Sequence, residues 1–144
     1  VLKVVTIGDP ILREKAMTVK NFNANLSRLI DNMAETMVEY DGVGLAAPQI
    51  GIPKRVVVID IGEGLIELVN PELVESKGEQ FGQEGCLSVP GEYADIRRAK
   101  YAKVKAQDRS GKEVFAEGED LMARALLHEL DHLNGILFVD KIEN

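Results

Sequence analysis

The chain has 144 residues, 45% of them hydrophobic and 28% charged, and a formal net charge of −7. That length suits one compact domain, expected to span residues 1–144, and the composition excludes a disordered chain. The acidic excess argues against nucleic acid as a primary ligand and leaves room only for a small basic patch around Arg97, Arg98 and Lys100. No run approaches the roughly 18 apolar residues of a membrane helix. The first residues, VLKVVTIGDP, lack a signal peptide's apolar segment, so a cytoplasmic setting is the expectation. Cys86 is the single cysteine, which rules out an internal disulfide, and His128 and His132 are the only histidines.

In chain order, GDPILREKA puts Asp9 at an N-cap and Pro10 in the first position of a short helical turn. From about Asn25 to Tyr40, Leu26, Ile30, Met33 and Met37 recur at helical spacing, and Asp41-Gly42 stops that helix. GVGLAAPQIGIP, rich in glycine, proline and small apolar residues, reads as a structured loop. RVVVIDI is short, β-branched and almost wholly apolar, which fits a buried strand. LIELVN and ELVESK read as strands joined or bent at Asn70-Pro71. YAKVKAQ alternates, and with DRSG and KEVFAE it makes a hairpin. The last long element runs from about Glu119 to Asn134, with an acidic start suited to the helix dipole and Gly135 just beyond its end. The order favours an α+β fold, mostly antiparallel strands around a buried C-terminal metal-binding helix.

HELDH, from His128 to His132, fits H-E-x-x-H. Two histidines four apart project from one helix face and can ligate one ion. Leu121 and Ala125 extend that stripe, while Leu126, Leu127, Leu130 and Leu133 make the other faces apolar. A glutamate in such a helix is rarely buried without a partner or a task. The alternative, two histidines placed by chance in a core helix, leaves Glu129 unexplained. In the longer pattern H-E-x-x-H-x-x-G-x-x-H, Phe138 stands where the third histidine would be. The only downstream carboxylates, Asp140 and Glu143, lie near the C-terminus and are poorly placed to reach the helix face. Cys86, in QEGCLSVPG, remains as the third donor. Cysteine with two histidines and an open fourth position is a catalytic pattern, not a closed structural one.

GVGLAAPQIG (Gly42 to Gly51), EGCLSVP (Glu84 to Pro90) and HELDH resemble, in order, the three motifs of the peptide deformylases. The segments from GDPILREKA to GILFVDKI resemble that family too. The resemblance implies a metal-dependent hydrolase that removes the N-formyl group from the N-terminal methionine of nascent polypeptides and releases formate. It implies metal ligation by Cys86, His128 and His132, with Glu129 as general base and then acid. Gln49, through its side-chain amide, and Leu87, through its backbone N–H, would donate to the oxyanion. Val43 and Gly44 match positions that pair with the peptide backbone, and the methionine would enter an apolar pocket near Val43, Ala125 and His128. The donor set suits Zn(II), Ni(II), Co(II) and Fe(II), with Fe(II) expected as native. The implied partners are N-formylmethionyl peptides, with room for a transient ribosome contact, no direct nucleic-acid binding and no membrane. Two positions stay open. Glu84 reads either as an organiser of the cysteine loop paired with Arg97 or Arg98, or as a solvated charge, and Tyr93 falls where other members carry arginine. The rival readings are an H-E-x-x-H zinc peptidase and a non-catalytic metal- or peptide-binding relative.

Overall fold

Alternating packing partners along the wholly buried strand Val56–Ile59 (β2) explain how the molecule is layered. Val56 and Val58 pack with Leu26, Ile30 and Met33 of the helix Ala24–Glu39 (α1), whereas Val57 and Ile59 pack with Ala125, Leu126 and Leu133 of the helix Leu121–Leu133 (α2). A strand covered on both faces must be apolar at every position, which is why RVVVIDI shows no polar alternation. The computed structural model describes residues 2–143; Val1 and Asn144, the ends of the expected 1–144 domain, lie outside the described residues.

Five strands form one sheet in the order β1-β2-β3-β6-β7, with β1 Gly44–Ala46, β3 Ile66–Lys77, β6 Tyr101–Gln107 and β7 Glu113–Glu119. A separate two-stranded hairpin joins β4 Gln80–Cys86 to β5 Val89–Arg98. Among the described residues every strand pair is antiparallel, and the one parallel contact is an isolated bridge between Met17 and Lys54. The α+β class holds. Among the described residues no helix is long and apolar enough to cross a membrane.

The expected elements are refined in four places. LIELVN and ELVESK form the single strand β3, bent by a register shift after Val69 where Asn70 takes φ 52°. The loop GVGLAAPQIGIP contains the edge strand β1 and a 3-10 turn, Ala47–Ile50. The β4–β5 hairpin had no counterpart in the apolar pattern. The late helix begins at Leu121: Glu119 closes β7, Asp120 makes no side-chain cap, and the first turn carries no acid, so the acidic start is corrected. The expected basic patch also dissolves, because Arg97 pairs with Glu79 and Glu143, Lys100 with Asp120, and Arg98 is buried.

Beyond α2 the chain turns back at Gly135, with φ 76°. A Cβ there would lie 2.7 Å from the carbonyl carbon of Arg13, so both the left-handed backbone and the close approach demand glycine. Phe138 then packs with Leu12, Val89, Ile96 and Leu137. It is a core residue and not a stand-in for a metal ligand. Asp140 pairs with Arg13 at 2.5 Å, and Glu143 bonds Arg97 at 3.1 Å, so both downstream carboxylates are engaged elsewhere. Gly135→Ala should destabilise the protein by at least about 1–3 kcal/mol, the cost of the strained φ alone. Urea unfolding measures this, and a midpoint equal to wild type would contradict the close packing of this turn against Arg13.

Candidate metal centre

Two rows of side chains face each other across the gap between α2 and β4. On the helix, Arg124, His128 and His132 follow one another at four-residue spacing and share a face. On the strand, Gln80, Gly82, Glu84 and Cys86 alternate toward that face, since β-strand side chains repeat every second residue. Arg124 Nη2 reaches Gln80 Oε1 at 3.3 Å, Glu84 meets Arg124 and His128, and Cys86 Sγ lies 3.2 Å from His132 Nε2. Helix period and strand period thus bring together residues some forty positions apart.

The donor atoms of Cys86, His128 and His132 all lie within 4.8 Å of one another, and the two Nε2 atoms are 3.2 Å apart. A tetrahedral ion at ordinary zinc–nitrogen and zinc–sulfur distances would separate such donors by about 3.3–3.6 Å. The residues therefore fit a divalent metal. Tautomer and charge agree: His128 donates through Nδ1 to Glu84 Oε1 at 2.8 Å, which leaves Nε2 to face the other donors. Burial works to lower the His128 pKa, yet Cys86, Glu84 and the Glu129 charge lift it to about 10. The field at this point attracts positive charge. Burial pushes His132 the other way, well below its usual range, and the His128 charge adds to that shift.

Glu84 is the organiser and not a solvated charge. Its Oε1 accepts from His128 and from Arg98 Nη2 at 3.0 Å; its Oε2 accepts from Arg98 Nε at 2.8 Å and Arg124 Nη1 at 2.6 Å. Of the two arginines expected beside it, Arg98 is the partner. Arg98 continues to Asp131 at 2.6 Å, so a single ionic network joins the strand of Cys86 to the helix of both histidines. Burial works to raise the Glu84 pKa, but Arg98 and His128 hold it down to about 2. Phe138 lies against the His128 ring, with centroids 6.3 Å apart.

Glu129 is buried, and its Oε1 has no hydrogen-bond partner in the protein. Its Oε2 would sit 2.5 Å from a Cβ on residue 44, so Gly44 makes room for the carboxylate. Burial lifts Glu129 to about 7, with the neighbouring Glu84 adding to the rise and His128 opposing it. Gln49 is also buried: its Oε1 accepts from Ala46 N–H at 2.9 Å, and its Nε2 points to Ser88 Oγ at 3.2 Å and Cys86 Sγ at 3.6 Å. Leu87 opens the two-residue turn between β4 and β5, directly after Cys86.

A cavity of about 300 Å³ opens here. Val43, Gly44, Gln49, Cys86, Leu87 and Ala125 all line it, as do His128 and Glu129. Every expected site residue except His132 therefore touches this cavity, and His132 sits behind as a donor. Leu121 and Ala125 belong to the cavity wall; the stripe that carries the histidines continues through Arg124 instead. Arg124 is the site residue that sequence reasoning missed. Its four-residue offset from His128 was the available signal, masked by the assumption that the stripe was apolar. Tyr93 covers Gly85 across the hairpin and borders the cavity.

This Cys–His–His donor set, its histidines buried beside a glutamate with an unsatisfied oxygen, defines a metal-dependent hydrolase. The model of the family described as polypeptide deformylase matches residues 1–144. A peptide deformylase from Carboxydothermus hydrogenoformans is 57% identical over 144 residues, covering all of this chain and 95% of that protein. One from Heliobacterium modesticaldum is 56% identical over the same length, covering all of this chain and 95% of that one. Among solved structures, the peptide deformylase of Thermotoga maritima superposes with a TM-score of 0.97 at 45% identity, covering 99% of this chain and 98% of that one. The enzyme from Synechococcus elongatus, solved in complex with actinonin, gives a TM-score of 0.96 at 42% identity over 99% of this chain and 79% of its own. The chain belongs to the peptide deformylase family, whose members are metal-dependent enzymes.

The ionic network sets a direction for acid stability. Glu84 has a folded pKa depressed from 4.5 to about 2, so its stabilisation is fully present above about 4.5 and is lost as pH falls through 2. Glu84→Gln should cost about 3–5 kcal/mol near neutrality by leaving two buried guanidinium groups undercompensated. The gap between wild-type and variant urea midpoints should narrow from pH 5 to pH 2. A gap that stays constant with pH would refute this account of Glu84.

Proposed function

We propose that residues 1–144 act as one catalytic domain that hydrolyses the N-formyl group of formylmethionyl peptides in the cytoplasm, where nascent chains are made. The observation that carries this reading is the unsatisfied Glu129 Oε1, buried beside three converging metal donors at the wall of a cavity of about 300 Å³.

In this reading Cys86, His128 and His132 hold the divalent ion. When bound, that ion supplies the Lewis-acid chemistry that makes water nucleophilic near neutral pH. Glu129, with a pKa near 7, takes the proton from the attacking water as the oxygen–carbon bond forms. It then gives a proton to the amine nitrogen as the carbon–nitrogen bond breaks. Formate and a free N-terminus are the products. Gln49 and the Leu87 N–H stand beside Cys86 as donors to the developing oxyanion, and the Ala46 N–H holds Gln49 in orientation.

Substrate would bind along β1. This strand is an edge of the five-stranded sheet, with β2 on its inner side, and Val43 and Gly44 border the cavity. An extended peptide can pair with such an edge, and main-chain bonds then orient the first residue toward Ala125 and Leu121. The formyl carbon bears only hydrogen, so the crowded floor made by Glu129 against Gly44 excludes larger acyl groups.

The thiolate–imidazole set suits Fe(II) as the native ion, with Zn(II), Ni(II) or Co(II) substituting. Activity should then decay in air and survive under reductant or after nickel exchange. Indifference to oxygen would argue against iron.

The decisive measurement is formate release from a formyl-Met peptide. Glu129→Ala should lose about 10²–10⁴-fold in kcat while retaining metal. N-acetyl peptides should turn over far more slowly than N-formyl ones. A metal-loaded wild type that releases no formate would favour the non-catalytic relative. Cleavage of internal peptide bonds would favour the zinc peptidase, although the ligand such an enzyme takes from downstream is here tied to Arg13 or Arg97.

A further inference from the structure

The cavity beside the metal donors has a charged residue in its wall. Leu121 and Ala125 form one side of it, and Arg124, projecting from the same helix, lines it as well. Arg124 is buried, and its guanidinium occupies the space that Gly82 leaves free: a Cβ at Gly82 would lie 3.3 Å from Nη2. Both Nη1 hydrogens are engaged, one by Glu84 Oε2 at 2.6 Å and one by the Ile96 carbonyl at 3.1 Å. Nη2 reaches Gln80 Oε1 at a long 3.3 Å. A guanidinium carries five N–H donors in a fixed fork. Among the described residues, then, no acceptor meets the Nε hydrogen or the second Nη2 hydrogen. Nε, which has no partner, is not fully enclosed, and Arg124 lines the cavity, so this hydrogen is the donor left for a ligand there.

An apolar first side chain filling the cavity would leave this cationic donor without an acceptor, which is costly in a confined site. A side chain with an acceptor near its end would restore the bond. We propose that Arg124 is a specificity-determining residue that makes this site favour a first side chain bearing a hydrogen-bond acceptor at its δ position. The thioether sulfur of methionine is a weak acceptor of this kind, and the oxygen of methionine sulfoxide is a strong one. Peptides beginning with formylated methionine sulfoxide are then substrates in their own right. Norleucine, which matches methionine in length and lacks the sulfur, is the disfavoured side chain. The inference rests on the deformylase reading above, because it assigns this cavity to the first residue of the substrate.

The test compares kcat/KM for three peptides that differ only at the first residue: formyl-methionine, formyl-methionine sulfoxide and formyl-norleucine. It uses the metal-loaded wild type, Arg124→Met and Arg124→Lys. Within one preparation the ratios are independent of the fraction of active enzyme. In the wild type, norleucine should fall below methionine by about three- to tenfold, the worth of one hydrogen bond. The sulfoxide should match or exceed methionine. In Arg124→Met the sulfoxide-to-norleucine ratio should drop by at least about tenfold. Arg124→Lys keeps the charge beside Glu84 but loses the fork, and should show the same loss. Equal wild-type rates on methionine and norleucine, with the sulfoxide slower than both, would overturn the inference while leaving the deformylase reading intact. So would wild-type ratios that persist in both variants. No formate from any of the three peptides would overturn both.

Discussion

The structure depends on one carboxylate. Glu84 is buried with two arginines and a histidine around it, and it occupies the strand position two residues before Cys86. Without those partners its charge would cost several kcal/mol to bury; with them it locks the β4–β5 hairpin to α2. The same contacts set the orientation of His128 and, through Arg98 and Asp131, brace the turn of helix that carries His132. Folding and site formation are therefore one event. The hairpin contributes little to the two clusters on either face of β2; an ionic seam joins it to α2, beside the apolar contacts of Val89 and Ile96 with Leu12, Leu137 and Phe138.

That seam also explains which parts of the protein were legible in the sequence. Helix α1 announces itself because its burial is periodic, and strand β2 because it is covered on both faces and apolar throughout. The β6–β7 hairpin alternates for the same reason. The β4–β5 hairpin does not: its inward row is Gln80, Gly82, Glu84 and Cys86, and no hydropathy period marks a strand whose buried face is polar. β1 was hidden too, being three residues long and embedded among glycines and prolines. The metal donors, by contrast, could be named from spacing and scarcity alone, because two histidines four apart need a third ligand and the chain has one cysteine. Arg124 escaped because an arginine in a leucine-rich helix reads as a solvent-facing residue, whereas here a carboxylate from another strand neutralises it.

Glycine at 44, 82 and 135 serves three different ends. At 135 it permits a backbone turn that no other residue makes without strain, and at 82 it leaves space for a guanidinium. At 44 it lets a helix-borne carboxylate approach the edge of the sheet. Each is a place where one element comes closer to another than a methyl group would allow, and all three lie within or beside the contact between α2 and its neighbours.

Strand β1 spans three residues and has a partner on one side only. An unpaired edge is ordinarily a hazard, since any extended chain can add to it. Here its shortness limits that hazard to a visitor of a few residues, and the cavity bordered by Val43 and Gly44 lies at its end. A binding site that grips the main chain is indifferent to the order of side chains it meets. Such an edge serves an enzyme whose clientele is defined by where a chain begins, because it distinguishes a beginning from a middle without having to read a sequence.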